Sequence, residues 1–151
     1  MRRVLVQAQA FDPGAELARL GDAATGGIAS FIGIVRVGHS EARRVRALVL
    51  EHYPGMTEKA LEKLAEEAQA RWVLTGCTVI HRMGRLLPGE AIVFVAAASA
   101  HRGAALQAVG FLIDGLKTNA PFWKAEEFED GTREWVAARA EDEDAASAWK
   151  V

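Results

Sequence analysis

Residues 90–117 read EAIVFVAAASAHRGAALQAVGFLIDGLK, and they decide the fold. Glu90 to Ala98 is a strongly apolar run of strand length, with its longest unbroken stretch, Ala91 to Ala98, far too short to span a bilayer. Ser99 is placed to cap the helix that follows. That helix is expected from about His101 to Lys117. It carries Ala105, Leu106, Val109, Leu112, Ile113 and Leu116 on one broad apolar face. A buried strand running straight into an amphipathic helix indicates a mixed α and β architecture.

The same reading extends to both sides. Upstream, Cys77 to Arg82 reads as a strand, and Met83 to Gly89, with Gly84 and Pro88-Gly89, reads as a turn. Further back come a strand from Arg3 to Gln9, a short helix from Pro13 to about Leu20, and a strand from Ile28 to Val35. Val37 to Arg44 is polar and reads as an exposed, mobile loop. Val45 to His52 is another strand. Pro54-Gly55 then turns the chain into a helix whose apolar period is Met56, Ala60, Leu61, Leu64, Ala65, Ala68 and Trp72. Downstream, Pro121 ends the helical region. Phe122 to Phe128 and Arg133 to Ala137 flank Asp130-Gly131, which signals a hairpin. Glu141 to Lys150 is acidic and alanine-rich, a short helix or a frayed tail. The expectation is one α+β domain over residues 1–151. It holds a mixed, largely antiparallel sheet, two main helices and a C-terminal hairpin, with residues 140–151 as a flexible tail.

Half of the 151 residues are hydrophobic and a quarter are charged, which suits a globular chain with one real core. The formal net charge of −2 gives no support to nucleic-acid binding. Basic residues do cluster at Arg36, Arg43, Arg44 and Arg46, a pattern better matched to a small anion. The single cysteine, Cys77, excludes an internal disulfide and fits a reducing cytosol. No signal peptide is read at the N-terminus.

Familiar site motifs are missing. There is no GxGxxG, GxxxxGK[ST], HExxH or GxSxG, and His39, His52, His81 and His101 are far apart in sequence. No metal and no cofactor are expected. Cys77 reads as a small buried hydrophobe rather than a nucleophile. Three features point toward chemistry, each beside a plainer reading. Ser99-Ala100-His101-Arg102 puts an imidazole and a guanidinium at a helix N-terminus, where free N–H groups favour a phosphate or carboxylate. The alternative is a capped helix with surface basic residues. Lys117 and Lys124 flank Pro121-Phe122-Trp123. Two converging ammonium groups would lower each other's pKa and tune a lysine for nucleophilic or acid–base work. Equally, Lys117 complements the helix dipole and Lys124 is a strand residue facing water. Arg36 follows Phe31-Ile32-Gly33-Ile34-Val35, where Gly33 permits close approach of a ligand or backbone. The alternative is a strand-end arginine.

Glu51-His52-Tyr53-Pro54-Gly55-Met56, Val79-Ile80-His81-Arg82, Ser99-Ala100-His101-Arg102, Leu116-Lys117 and Ala120-Pro121-Phe122-Trp123-Lys124 occur in an order and spacing that resemble one family. It is the large, catalytic subunit family of molybdopterin synthase, and the resemblance covers roughly Ile28 to Trp149. It implies an α/β hammerhead-like fold and a cytoplasmic sulfurtransferase of molybdenum cofactor biosynthesis. That enzyme converts cyclic pyranopterin monophosphate to molybdopterin. The implied partner is a small ubiquitin-like subunit bringing sulfur as a C-terminal Gly-Gly thiocarboxylate. The implied assembly is a homodimer with one small subunit at each end, a heterotetramer. Neither nucleic acid nor membrane is implied.

By this resemblance Lys117 meets the partner's C-terminal group and Lys124 is its catalytic companion. Ile34, Val35, Arg36, His101, Arg102, Lys117, Lys124, Ala125 and Glu126 match substrate-binding positions, and Arg139 matches an arginine near the site. Two positions depart from the family pattern: Ile34 stands where a lysine can occur and Ala125 where an arginine can. Contacts there would be apolar or through backbone. Two readings compete with the enzyme: a module that only docks a ubiquitin-like tail, and an unrelated phosphometabolite enzyme that needs no protein partner. Helix arithmetic adds a separate expectation. His101 and Lys117 are sixteen residues apart on one helix, hence about 24 Å. His101 and Arg102 should therefore serve the site of a second protomer.

Overall fold

The computed structural model describes residues 1–36, 44–136 and 140–149, the side chains of residues 140–143 excepted. In chain order the elements are β1 (Arg2–Gln7), α1 (Pro13–Arg19), β2 (Gly27–Ile34), β3 (Val45–His52), α2 (Met56–Arg71), β4 (Gly76–Arg82), β5 (Gly84–Leu86), β6 (Ala91–Ser99), α3 (Arg102–Asn119), β7 (Phe122–Phe128), β8 (Arg133–Val136) and α4 (Ala140–Ser147). The expected α+β class holds, and so does the hairpin, as β7 and β8. The expected loop Val37 to Arg44, apart from Arg44 itself, and the hairpin end at Ala137 lie outside the described residues.

The strands divide between two four-stranded sheets, ordered β1-β4-β6-β2 and β5-β3-β7-β8. Among the described residues only β1 and β4 pair in parallel. The β6 run is apolar without alternation because both of its faces are covered. Val93, Val95 and Ala97 pack with α2 and α3, whereas Phe94, Ala96 and Ala98 pack with Leu17 and Leu20 at the α1 end. Val35, Leu48, Leu50 and Leu86 form a third cluster that joins the two sheets through Ile92.

Several local expectations shift. The stretch read as a turn contains β5, because Leu86 and Arg85 find partners in Leu48 and Val49 of β3. Ser99 belongs to β6 and does not cap α3: its Oγ donates to the Val73 carbonyl at 2.8 Å, and His101 is the cap residue. Leu106, expected to face inward, is 62 % exposed. The buried arc of α3 is centred on Ala108, Phe111, Leu112 and Gly115 instead. Gly115 is required there, since a Cβ would come within 2.4 Å of Leu64 Cδ1 and hold α2 and α3 apart. Met56 is exposed and its neighbour Thr57 takes the buried place. Thr57 Oγ1 donates to the Pro121 carbonyl at 2.9 Å, tying the start of α2 to the entry of β7. Gly33 does admit a close approach, but what approaches is Val93, whose Cγ1 would lie 2.7 Å from an added Cβ.

The acidic C-terminal stretch forms α4 and packs on α3. Trp149 fixes it. Its Nε1 donates to Asp114 Oδ2 at 2.7 Å, and its ring meets Trp72 and Phe111 edge-on with centroids 5.8 and 5.7 Å apart. Trp149→Ala is therefore expected to cost about 3 kcal/mol, the low end for loss of a large aromatic, and to lower the melting temperature by about 6–12 °C. Trp149→Phe keeps the ring contacts and should cost about 1.5–3 kcal/mol, the loss of one charged hydrogen bond. Thermal unfolding of the two variants checks both values. A melting temperature unchanged in Trp149→Ala would mean the tail is not anchored.

Candidate active site

The first sheet's registers set His101 and Arg102 at one of its ends and Ile34 and Arg36 at the other, while Lys124, Ala125 and Glu126 lie on β7 of the second sheet. At one end β6 finishes and α3 begins. Gly27 pairs with Ser99 and Gly76 with Ala98, and a Cβ on Gly27 would lie 3.7 Å from Arg102 Cα. His101 and Arg102 sit here, both exposed. The α3 N-terminus has no side-chain cap and no acidic residue in its first turn. Its free N–H groups and two basic side chains all favour an anion.

At the other end β4 and β2 finish, β6 starts and α3 ends. Lys117 lies exposed in the last turn of α3. Ile34 ends β2, 51 % exposed, with exposed Arg36 two residues on. Val35 between them is buried, and its backbone is spoken for: its N–H donates to the Glu90 carbonyl and its carbonyl accepts from Gly89. Ala125 is buried too, paired with Val49 and Trp135. These two side chains frame the region and present nothing to a ligand. Lys124 and Glu126 flank Ala125 on β7, partly buried, on the same face as Leu48 and Leu50 opposite them. Arg139 lies outside the described residues, as does Arg43.

The basic cluster expected around Arg36 does not include Arg46. Glu127 draws in Arg85 Nη2 at 2.7 Å, Arg46 Nε at 3.0 Å and Arg133 Nη2 at 3.3 Å. Hydrogen bonds from Arg85 and then Arg46 hold the Glu127 carboxyl down at about 2. Cys77 behaves as the sequence suggested: it is fully buried, and desolvation pushes its thiol up to about 11, far from thiolate chemistry.

Two histidines not counted among the expected site residues lie near Lys117. His81 stacks on Phe122 with ring centroids 3.8 Å apart and planes 21° apart. His52 pairs with Phe122 across β3 and β7, and its Nε2 lies 3.5 Å from Glu58 Oε1. Burial lowers the His81 pKa to about 4, and the nearby charges of Lys117 and His52 push it the same way. The available signal was alternation: Cys77, Val79 and His81 share the strand face that α2 and α3 cover. Among the described residues no three His, Cys, Asp or Glu side chains gather to hold a metal, and no helix is long and apolar enough to cross a membrane.

This arrangement offers a lysine with two histidines at one end and an anion-favouring helix start at the other. A family model described as "MoaE protein" matches residues 6–119. The chain belongs to the MoaE protein family. It is 51 % identical over 149 residues to the molybdopterin synthase catalytic subunit of Pseudomonas aeruginosa, covering 97 % of this chain and 98 % of that one. The Escherichia coli catalytic subunit is 49 % identical over 148 residues, with 97 % of each chain covered. Among solved structures, the molybdopterin biosynthesis MoaE protein from Burkholderia ambifaria superposes with a TM-score of 0.83 at 46 % identity, covering 100 % of this chain and 99 % of that one. The MoaE fold therefore accounts for both sheets and all of the helices that place Lys117 and His101.

Proposed function

We propose that this chain is the catalytic subunit of a cytoplasmic molybdopterin synthase. It converts cyclic pyranopterin monophosphate to molybdopterin, taking sulfur from the C-terminal thiocarboxylate of a small ubiquitin-like subunit. The observation that carries this reading is near-half identity to curated catalytic subunits over essentially the whole of both chains. Lys117 meets the acyl carbon of the incoming thiocarboxylate as nucleophile or polarising group, with Lys124 as its companion. Arg36, His101 and Arg102 take the substrate phosphate, where charge-assisted bonds are strong, with Arg139 completing the basic lining. Ile34 and Glu126 border the substrate.

Two copies are needed to assemble that set, because Arg102 and Lys117 bound a helix about 22 Å long between them. Strand β2 supports one arrangement. It is an edge strand with β6 on one side, and it exposes Ile28, Phe31, Ile32 and Ile34, an edge that calls for a cover. From Gly27 to Ile34 it spans seven steps, about 24 Å. Antiparallel pairing of two β2 edges about a two-fold axis would set the Gly27 end of one copy, with its His101 and Arg102, beside the Ile34 end of the other. The homodimer then binds one small subunit at each end as a heterotetramer.

The test is incubation of the chain with thiocarboxylated small subunit and cyclic pyranopterin monophosphate, with detection of the dithiolene product. Product is expected only when both are present. Complex formation without product would identify a docking module. Turnover without any protein partner would identify an unrelated phosphometabolite enzyme.

A further inference from the structure

His81 has no assigned part in this chemistry, yet its setting is specific. Along β4, Cys77, Val79 and His81 alternate onto the face beneath α2 and α3. His81 pairs with Val93, and Val93 packs in one cluster with Leu116, the residue before Lys117, and with Phe122. The imidazole is thus set under the last turn of α3. Two contacts lock it: the 3.8 Å stack on Phe122 and a 2.8 Å bond between Nδ1 and the Arg82 carbonyl. A carbonyl only accepts, so Nδ1 carries the proton and Nε2 holds a bare lone pair. Burial keeps the ring neutral at physiological pH. Among the described residues neither His81 Nε2 nor Lys117 Nζ has a hydrogen-bond partner. One is an acceptor fixed in place, the other a donor on a flexible stem.

We infer that His81 is a positioning residue for Lys117: a turn of the flexible lysine stem brings an N–H of Nζ to the unpartnered Nε2, which then holds that nitrogen at the mouth of the site. No proton changes hands. The imidazole acts as a fixed acceptor, and it reduces the rotamer freedom that an exposed lysine would otherwise lose on engaging the acyl donor. The inference rests on the functional reading above for its consequence in catalysis, whereas formation of the hydrogen bond when the stem turns can be tested without that reading.

The experiment has two parts. In the first, the chain carries 15N-histidine and the His81 Nε2 resonance is followed without substrate. Lys117→Met is expected to move it toward the position of an imidazole nitrogen without a hydrogen bond, and an unchanged resonance would overturn the contact. In the second, His81→Phe keeps a ring against Phe122 and removes the acceptor, while His81→Gln restores an acceptor near the Nε2 position. With both substrates, His81→Phe should lose about 10- to 100-fold in kcat, the scale set by misplacing a reacting group. Its KM and melting temperature should stay close to those of the unmodified chain, and His81→Gln should recover most of the rate. Undiminished kcat in His81→Phe, or equal losses in both folded variants, overturns the inference. Absence of product from the unmodified chain would instead count against the functional reading, leaving the first part to decide the contact.

Discussion

Lys117→Ala is expected to lower dithiolene formation by at least about 10³-fold, the upper range for loss of a nucleophile or acid–base group. The fold should survive. Lys117 is exposed, and its structural role is to complement the α3 dipole from the last turn. That role is worth at most about 1 kcal/mol, a shift of about 2–4 °C in melting temperature for a chain of this size. Activity and stability thus separate by orders of magnitude, which a general folding defect would not produce. Lys117→Arg sharpens the result. Arginine preserves the charge at the helix end and so the stability, but it stays protonated and offers no neutral amine. Rates from Lys117→Arg as low as those from Lys117→Ala would show that the amine matters. Rates near those of the unmodified chain would show that positive charge alone suffices. Near-normal turnover by Lys117→Ala would remove Lys117 from the chemistry altogether.

The parts of this molecule that could be read from sequence are those whose determinants lie within one element. The β6 run and the α3 periodicity reported themselves, because a strand covered on both faces has to be apolar throughout and a covered helix has to be apolar at its own period. Pro54-Gly55 and Asp130-Gly131 marked turns by backbone preference alone. What stayed hidden depends on partners far along the chain. Nothing in Gly84-Arg85-Leu86 announces a strand until Leu48 and Val49 supply the other half of the ladder. The division into two sheets arises because β3 pairs with β7, more than sixty residues on, rather than with its neighbour β2. Trp149 looked like part of a tail because its stretch is acidic and rich in alanine, and only Asp114 and the two facing aromatics give it a place. The site divides in the same way. Lys117 and His101 were visible as the two ends of one helix. His81 was not, since its meaning comes from Phe122 on a strand of the other sheet.

The second large effect is a gain. A Lys117→Ala chain and a His101→Ala chain should each be nearly inactive alone, yet activity should return when they are mixed and allowed to exchange subunits. The reason is geometric. If each site takes its lysine from one copy and its imidazole from the other, a homodimer of either variant has two broken sites. In the mixed dimer both lesions fall in the same site, and the other site is intact. Random exchange at equal amounts makes half of the dimers mixed, with one working site in two, so about a quarter of the unmodified activity is expected. A site contained within a single chain predicts no recovery at all, because every chain in the mixture carries a lesion. The β2 edge allows the same point to be tested without chemistry. Phe31→Glu should place a charge in the pairing edge and shift the chain toward monomer in sedimentation, and that variant should then fail to take part in recovery. A Phe31→Glu chain that still forms dimers and still takes part in recovery would show that the copies meet elsewhere. Mixing that restores nothing, from variants that still form dimers, would place His101 and Arg102 outside the shared site and leave the α3 N-terminus as a capped helix end carrying surface charge.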